Sequence, residues 1–179
     1  MLKMADFIMF YRRNKGFTLI ELMVTLAVAV VLITVAVPGF RTMIQNNRAS
    51  TQANELLTAF MLARTEAIKR GAPVSVCSST NQTTCAASTD WATGWIVFTD
   101  EAGTSGVLDS TDQLIRVWES LDGAPTLTGA TQNVQYQASG LVAATSSFTL
   151  TLPDCKGNQV QTININAVGS GRITASACP

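Results

Sequence analysis

Hydrophobic residues are concentrated in one segment near the start of the chain, from Phe17 to Val37. This segment contains a single ionisable side chain, that of Glu21. A helix needs about 20 apolar residues to cross the hydrocarbon core of a bilayer. The pattern therefore predicts a membrane-spanning helix over this segment.

Beyond this segment, apolar residues recur three or four positions apart, with charged side chains between them. They are Ile44, Ala49, Ala53, Leu56, Leu57, Phe60, Ala63, Ala67 and Ile68. This periodicity is typical of an amphipathic helix that packs one face on a protein core. Gly71 and Pro73 form a stop signal, and Pro38 interrupts the backbone hydrogen bonding. We predict one long helix over residues 17–70, kinked near Pro38.

After Pro73 the pattern changes to the alternation with a period of two that is typical of β-strands. Glycine, serine, aspartate and asparagine separate the alternating segments. The predicted strands are Val74–Ser78, Gly94–Thr99, Leu114–Glu119, Asn133–Gln137, Ser147–Leu152 and Val160–Ile165, with Ile173–Ala175 as a last one. The predicted fold class is therefore α+β, with a long kinked N-terminal helix packed on an antiparallel β-sheet domain.

Charge is distributed unevenly along the chain. The first 16 residues are basic, and a basic flank before an apolar helix predicts a cytoplasmic N-terminus and an exported C-terminal body. Residues 17–179 carry eight basic and eleven acidic side chains, a net charge of −3. This balance argues against non-specific nucleic-acid binding through bulk charge, although it allows a local basic patch.

The four cysteines, Cys77, Cys85, Cys155 and Cys178, all follow the apolar segment. In an exported domain they predict two disulfides. Four cysteines allow three pairings, of which Cys77–Cys85 and Cys155–Cys178 are favoured because each closes a local loop. Free buried thiols are the alternative. The chain has no histidine and no C-x-x-C spacing, so we expect no metal site and no cofactor.

The basic stretch ends at Lys15 and Gly16, where the apolar segment begins at once. An ordinary secretory signal is cut after its apolar region, whereas the only plausible cut here precedes it. The run from Lys15 to Leu22 (KGFTLIEL) resembles the class III leader-peptidase site of type IV pilins and type II secretion pseudopilins. The resemblance implies that a prepilin peptidase cuts after Gly16 and that the new amine of Phe17 is N-methylated.

Glu21 and Pro38 each have two interpretations. A carboxylate in an apolar helix is energetically costly unless it has a partner. The resemblance implies that Glu21 pairs with the Phe17 amine of its own chain or of a neighbouring subunit. Such a pair would set the register in which subunits assemble. The alternative is a tolerated glutamate in a simple membrane anchor. Pro38 is either a helix-ending proline at the membrane edge or the kink typical of this class.

Four later segments resemble the FimT/FimU-type minor pilins and the GspH-type minor pseudopilins. They are Leu62–Arg70, Val74–Cys77, Gly94–Asp100 and Gly171–Thr174. The resemblance implies a cleaved leader (1–16), a transmembrane and filament-core helix (17–44) and a soluble pilin domain (45–179). It implies a minor pilin that takes part in pilus assembly or initiation, in or near the filament tip, with other pilins, the prepilin peptidase and inner-membrane lipid as partners.

The resemblance also implies a location, namely a single-pass inner-membrane protein with a periplasmic domain that later joins an extracellular pilus. Two other functions stay open. One is a minor pseudopilin of a type II secretion system. The other is a DNA-binding minor pilin for natural transformation, because some FimT-type members bind DNA through a Gly-Arg-x-Arg motif, although Thr174 here replaces its second arginine.

A Cys155–Cys178 disulfide is expected to bring Lys156 close to Arg172, and the two cations would form a small phosphate-binding patch. The alternative is that Gly171 and Arg172 form a solvated turn and the start of a strand. An enzyme is not predicted, because the sequence shows no nucleophile beside a base.

Overall fold

The computed structural model describes residues 16–101 and 103–179, so the predicted leader at residues 1–15 lies outside the described residues. One helix, α1 (Leu19–Arg70), precedes eight strands in the described chain. The chain divides into two compact units between Phe40 and Arg41. The first half of α1 belongs to the first unit, and the second half of α1 and all the strands belong to the second.

The first half of α1 exposes its apolar side chains. It is long and apolar enough to cross a membrane, and none of its most apolar stretch is buried. A helix from the core of a soluble protein would satisfy the same criteria of length and composition, but its side chains would be covered. The helix is continuous through Pro38. The side chain of Pro38 lies outside the described residues, and the kink there stays a prediction.

The second half of α1 buries one face. The fully buried side chains on it are Ala49, Ala53, Leu56, Ala59, Phe60, Ala63 and Ala67. Apart from the adjacent Ala59 and Phe60, these positions are three or four residues apart, which confirms the predicted amphipathic pattern over residues 49–67. Ile44 and Ile68, which were predicted for the same face, are exposed. Most of the buried positions are alanine, so the helix backbone can approach the strands closely. The helix ends at Arg70, and Gly71 follows with a φ of 65°, the left-handed conformation that favours glycine after a helix.

The strands form two antiparallel sheets of four strands each. Their bounds are β1 (Val74–Ser78), β2 (Trp95–Thr99), β3 (Leu114–Trp118), β4 (Thr126–Gly129), β5 (Asn133–Tyr136), β6 (Ser146–Thr151), β7 (Val160–Ile165) and β8 (Gly171–Ser176). The first sheet has the order β3-β2-β1-β5 and the second the order β4-β6-β7-β8. The α+β class is confirmed, whereas the single predicted sheet is in fact two.

The prediction missed β4. This strand has the sequence Thr-Leu-Thr-Gly, in which Leu127 is the one large apolar side chain and is buried. One apolar residue gives no visible alternation, so the strand is legible only from its pairing with β6. The other seven strands lie within one or two residues of their predicted bounds.

A cluster of three aromatic rings joins α1 to the second sheet. The ring centroid of Phe148 lies 4.9 Å from those of Phe60 and Trp91, and Trp91 donates its indole N–H to the carbonyl of Thr131 at 3.0 Å. All three rings are fully buried. Aromatic pairs at such distances add to the free energy of burial, so this cluster is the centre of the second unit.

The first sheet is buried on its other face as well. There Cys77, Ile96 and Phe98 form a second, smaller core. Beside it the carboxylate of Asp100, only 5% exposed, accepts hydrogen bonds from Ser75 Oγ at 2.5 Å, Gln135 Nε2 at 2.6 Å and the Gly106 amide at 2.8 Å. Three donors satisfy this buried carboxylate, which fastens the loop after β2 to the sheet.

We predict that Phe60→Ala lowers the free energy of unfolding of the second unit by about 3–5 kcal/mol, because it leaves a cavity among the buried rings. The measurement is urea denaturation of the purified chain in detergent, followed by tryptophan fluorescence. Thr58→Ala is the control on the exposed face of the same helix, and its effect should be within about 0.5 kcal/mol. Equal losses for the two variants would contradict the central role of the ring cluster.

Candidate functional site

The start of α1 is a capping box formed by Thr18 and Glu21. Thr18 lies just before the first helical residue, and its Oγ1 accepts a hydrogen bond from the Glu21 amide at 3.2 Å. In return, Glu21 Oε2 accepts hydrogen bonds from the Thr18 amide at 2.9 Å and from the Thr18 hydroxyl at 3.1 Å. Reciprocal bonds of this kind satisfy amides that have no partner within the helix. Thr18 and Glu21 therefore fix where the helix begins.

The sequence analysis missed this role of Glu21, although Thr18-Leu19-Ile20-Glu21 carries the Thr-x-x-Glu signature of a capping box. The capping bonds use only one oxygen of the carboxylate. Among the described residues, Oε1 of Glu21 accepts no hydrogen bond. Glu21 can therefore hold the helix start with Oε2 and accept a hydrogen bond from another group with Oε1.

The peptide bond between Gly16 and Phe17 lies one residue before this capping box. Both residues are exposed, and the Phe17 side chain is 87% exposed. A methyl group added at Gly16 would meet no atom within 4 Å, and its φ is not in the left-handed region. Nothing in the fold of the described chain therefore requires glycine at position 16.

The apolar surface that follows has no cover in the described chain. Its large exposed side chains include Leu19, Ile20, Leu22, Met23, Val24, Leu26, Val28, Val30, Val31, Leu32, Ile33 and Val35. A contiguous apolar surface of this extent marks contact with a membrane or with other proteins. Glu21 is the only charged side chain in this stretch.

The structure contains the two disulfides that the sequence analysis favoured. Cys77 at β1 is joined to Cys85, and Cys155 is joined to Cys178 near the C-terminus. There is no free cysteine. The second bridge, together with a hydrogen bond from the Cys178 amide to the Gly157 carbonyl at 2.8 Å, fastens the end of the chain beside the loop before β7.

The structure does not bring Lys156 and Arg172 together. Both side chains are exposed, but Arg172 pairs with Asn164 at one end of the β7–β8 hairpin, whereas Val160 and Ser176 form the other end, where the Cys155–Cys178 bridge lies. The four residues from Arg172 to Ser176 span about 13 Å. The register of the hairpin does not support the expectation that the disulfide draws the two cations into one patch, because that disulfide lies at the end of the hairpin far from Arg172.

Gly171, which precedes Arg172, packs closely against α1. A methyl group at Gly171 would overlap Cδ1 of Leu57 and approach Cδ1 of Ile165. The glycine of the Gly171-Arg172 pair therefore lets the edge strand β8 lie close to α1. Arg172 itself lies on the other face of β8, which is exposed.

Two family models match the chain. One, described as "Type II transport protein GspH", matches residues 52–169. The other, described as "Prokaryotic N-terminal methylation motif", matches residues 11–37 and thus includes the Gly16–Phe17 bond and the capping box. A search of curated proteins found no match.

Three solved structures resemble the fold. The type IV minor pilin FimU of Pseudomonas aeruginosa matches in two crystal forms. The first has 17% sequence identity and a TM-score of 0.57, over 74% of this chain and 96% of the FimU chain. The second has 16% identity and a TM-score of 0.54, over 73% and 99%. The minor pseudopilin EpsH of Vibrio cholerae has 16% identity and a TM-score of 0.48, over 72% and 97%. The predicted type IV pilin-like fold is confirmed by the FimU matches.

We predict that Thr18→Ala loosens the start of α1, because it removes the two hydrogen bonds of the Thr18 hydroxyl and keeps only the bond from the backbone amide of residue 18 to Glu21 Oε2. The loss of an N-cap costs about 0.5–2 kcal/mol. The Leu22 amide, which donates to the Thr18 carbonyl at 3.2 Å, should then exchange its hydrogen roughly two to thirty times faster in micelles. Thr25→Ala, which loses only a hydroxyl bonded to the Leu22 carbonyl, is the control and should leave that rate unchanged.

Proposed function

The chain belongs to the GspH family of type IV pilin-like proteins, and from this premise we propose that it is a minor pilin of a type IV pilus. It takes part in assembly or initiation of the filament and is located in or near the filament tip. The observation that carries the proposal is the arrangement at the N-terminus, where an exposed Gly16–Phe17 bond precedes a capped and uncovered apolar helix.

In this proposal a prepilin peptidase cuts the chain after Gly16, and the new amine of Phe17 is methylated. The methylation-motif match over residues 11–37 supports this step. So does the space around Gly16, because a glycine that the fold does not require is explained by a peptidase pocket that must approach the backbone closely. The cut removes residues 1–16 and leaves the apolar segment in the mature protein.

The mature protein is then anchored in the inner membrane through residues 17–44, with residues 45–179 as a periplasmic pilin domain. The exposed apolar side chains support this anchor, because lipid would cover them. The two disulfides support an exported domain. During assembly the same helix exchanges lipid for the helices of other pilins and becomes part of an extracellular filament.

Glu21 is proposed to select the position of the subunit in the filament. Its Oε1 is available for the amine of Phe17, from the same chain or from a neighbouring subunit, while its Oε2 caps the helix. A charge-assisted bond in an apolar environment is strong and directional. An unpaired carboxylate there is costly, so an incoming helix that supplies no amine is rejected.

A minor pseudopilin of a type II secretion system is the second candidate. The matching family is described as a type II transport protein, which favours this candidate. Deletion of the gene distinguishes the two functions. Loss of surface pili with normal protein secretion supports the minor pilin, whereas loss of secretion with normal piliation supports the pseudopilin. DNA binding is not favoured, because Arg172 lies at the end of the β7–β8 hairpin that is far from the Cys155–Cys178 bridge beside Lys156.

We predict that Gly16→Val blocks cleavage, because a branched side chain would keep the peptidase away from the backbone. The precursor should then accumulate with a mass higher by that of residues 1–16, which mass spectrometry of the membrane fraction measures. Gly39→Val is the matched control, since an added methyl at Gly39 also meets nothing within 4 Å. Normal cleavage of Gly16→Val would exclude this processing site.

We predict that Glu21→Gln is cleaved normally but is incorporated into sheared filaments at least about tenfold less than the wild type. The variant leaves the charged amine of Phe17 without its partner, and a buried charge without a partner costs several kcal/mol. Glutamine can still complete a capping box, so this variant removes the charge and keeps the helix start. Thr18→Ala is the converse control, with the carboxylate kept and the cap lost. Normal incorporation of Glu21→Gln would contradict the pairing with Phe17.

A further inference from the structure

A groove in the second unit has no role in the function proposed above. It has a volume of about 500 Å³ and lies between α1 and the loop that follows β3. Its walls include Arg48, Gln52 and Glu55 of the helix, Trp118 at the end of β3, and Glu119 and Asp122 of the loop. All of them belong to the unit that begins at Arg41.

The floor of the groove holds a buried acceptor without a donor. Gln52 is only 5% exposed, and its Nε2 donates to the Asp122 carbonyl at 2.8 Å. This bond fixes the orientation of the amide. Its Oε1 is buried and has no hydrogen-bond partner among the described residues. A buried acceptor without a partner is unfavourable, so a hydrogen-bond donor to Gln52 Oε1 would stabilise the groove.

The rim of the groove is acidic. Glu55 and Glu119 are exposed, and the ion pairs formed within the described part of the chain, Lys69–Glu66 and Arg70–Glu66, involve neither of them. Among the described residues that line the groove, Arg48 is the one cation, and its guanidinium lies against Gly123, where an added methyl group would overlap Nη1. The lining thus includes one guanidinium and three carboxylates, those of Glu55, Glu119 and Asp122.

The aromatic wall of the groove is held rigidly. The ring of Trp118 stacks on that of Trp95, with centroids 6.2 Å apart, and the Arg116 guanidinium lies 4.6 Å from the Trp118 ring centroid. A wall fixed in this way loses little conformational entropy when a partner binds. The groove is therefore formed before it is occupied.

We propose that this groove receives a basic side chain, a lysine or an arginine, from a neighbouring subunit of the filament. The proposal rests on the proposed function, since it assumes that the chain is a filament subunit. Glu55 and Glu119 would offset the charge of the ammonium or guanidinium group. A local side-chain shift that uncovers Gln52 Oε1, which is buried in the unoccupied groove, would let that group donate a hydrogen bond to it. An ionised donor is the class of ligand that satisfies both the missing donor and the excess of carboxylates.

The first test compares two double variants with the same change in net charge. Glu55→Gln with Glu119→Gln neutralises the rim, and Glu101→Gln with Asp154→Asn neutralises two exposed carboxylates that do not line the groove. Each is measured by its amount in sheared filaments relative to the total in the cell. We expect the rim variant to lose about threefold or more, since an exposed ion pair contributes up to about a factor of five, and the control to match the wild type.

Equal incorporation of the two double variants would overturn the proposal. Failure of the proposed function gives a different result, because the wild-type chain would then be absent from filaments. Gln52→Met, which keeps the approximate shape of the side chain but removes both the unpaired acceptor and the bond to the Asp122 carbonyl, should also reduce incorporation. Levels of full-length, disulfide-bonded protein in the membrane fraction show whether each variant folds.

The second test uses wild-type filaments and so does not depend on how a variant folds. A carbodiimide joins a carboxylate directly to a lysine amine in contact with it, and phenylglyoxal modifies accessible arginines. We expect either a crosslink from Glu55 or Glu119 to a lysine of another subunit, or an arginine of that subunit that is protected in wild-type filaments and modified in filaments of the rim variant. Absence of both would overturn the proposal.

Discussion

The uncovered apolar surface of the first half of α1 constrains everything else that this chain does. Each Å² of such a surface costs roughly 25 cal/mol in contact with water, so lipid or protein must cover it at every stage. Lipid tails are as apolar as leucine, and moving a helix from a bilayer into a bundle of helices gains little hydrophobic free energy. Hydrophobicity therefore keeps the helix out of water but would not decide between a membrane and the proposed filament.

Any preference between the two environments must come from the few polar groups that accompany the apolar surface. Glu21 is the one charged group within this surface. Its Oε2 accepts hydrogen bonds from Thr18, whereas its Oε1 accepts none among the described residues. In the second unit, Gln52 repeats the same arrangement in a groove, with one amide atom bonded and the other buried without a partner. Both sites lack a donor, and each is a place where a neighbouring chain can contribute specificity that the apolar surface cannot.

Periodicity along the chain predicted those parts of the fold that are local in sequence. The end of α1, its buried alanines and seven strands were legible, because each follows from spacing within one element. The division into two sheets was not legible, since it depends on which strands pair. The contact between Gln52 and Asp122 joins residues 70 positions apart. A local sequence motif therefore could not have predicted the groove. The capping box was legible as Thr-x-x-Glu but was overlooked beside the more conspicuous charge of Glu21.

Two glycines show how the structure separates a requirement of the fold from a requirement imposed by another protein. Gly16 and Gly171 both stand in motifs that the sequence analysis singled out. At Gly171 a methyl group would overlap Cδ1 of Leu57, so packing against α1 favours glycine there without any ligand. At Gly16 the same methyl group would meet nothing, so the fold offers no explanation, whereas the proposed peptidase would supply one. The same reasoning that weakens a DNA-binding interpretation of Gly171 and Arg172 strengthens the interpretation of Gly16 as a cleavage site.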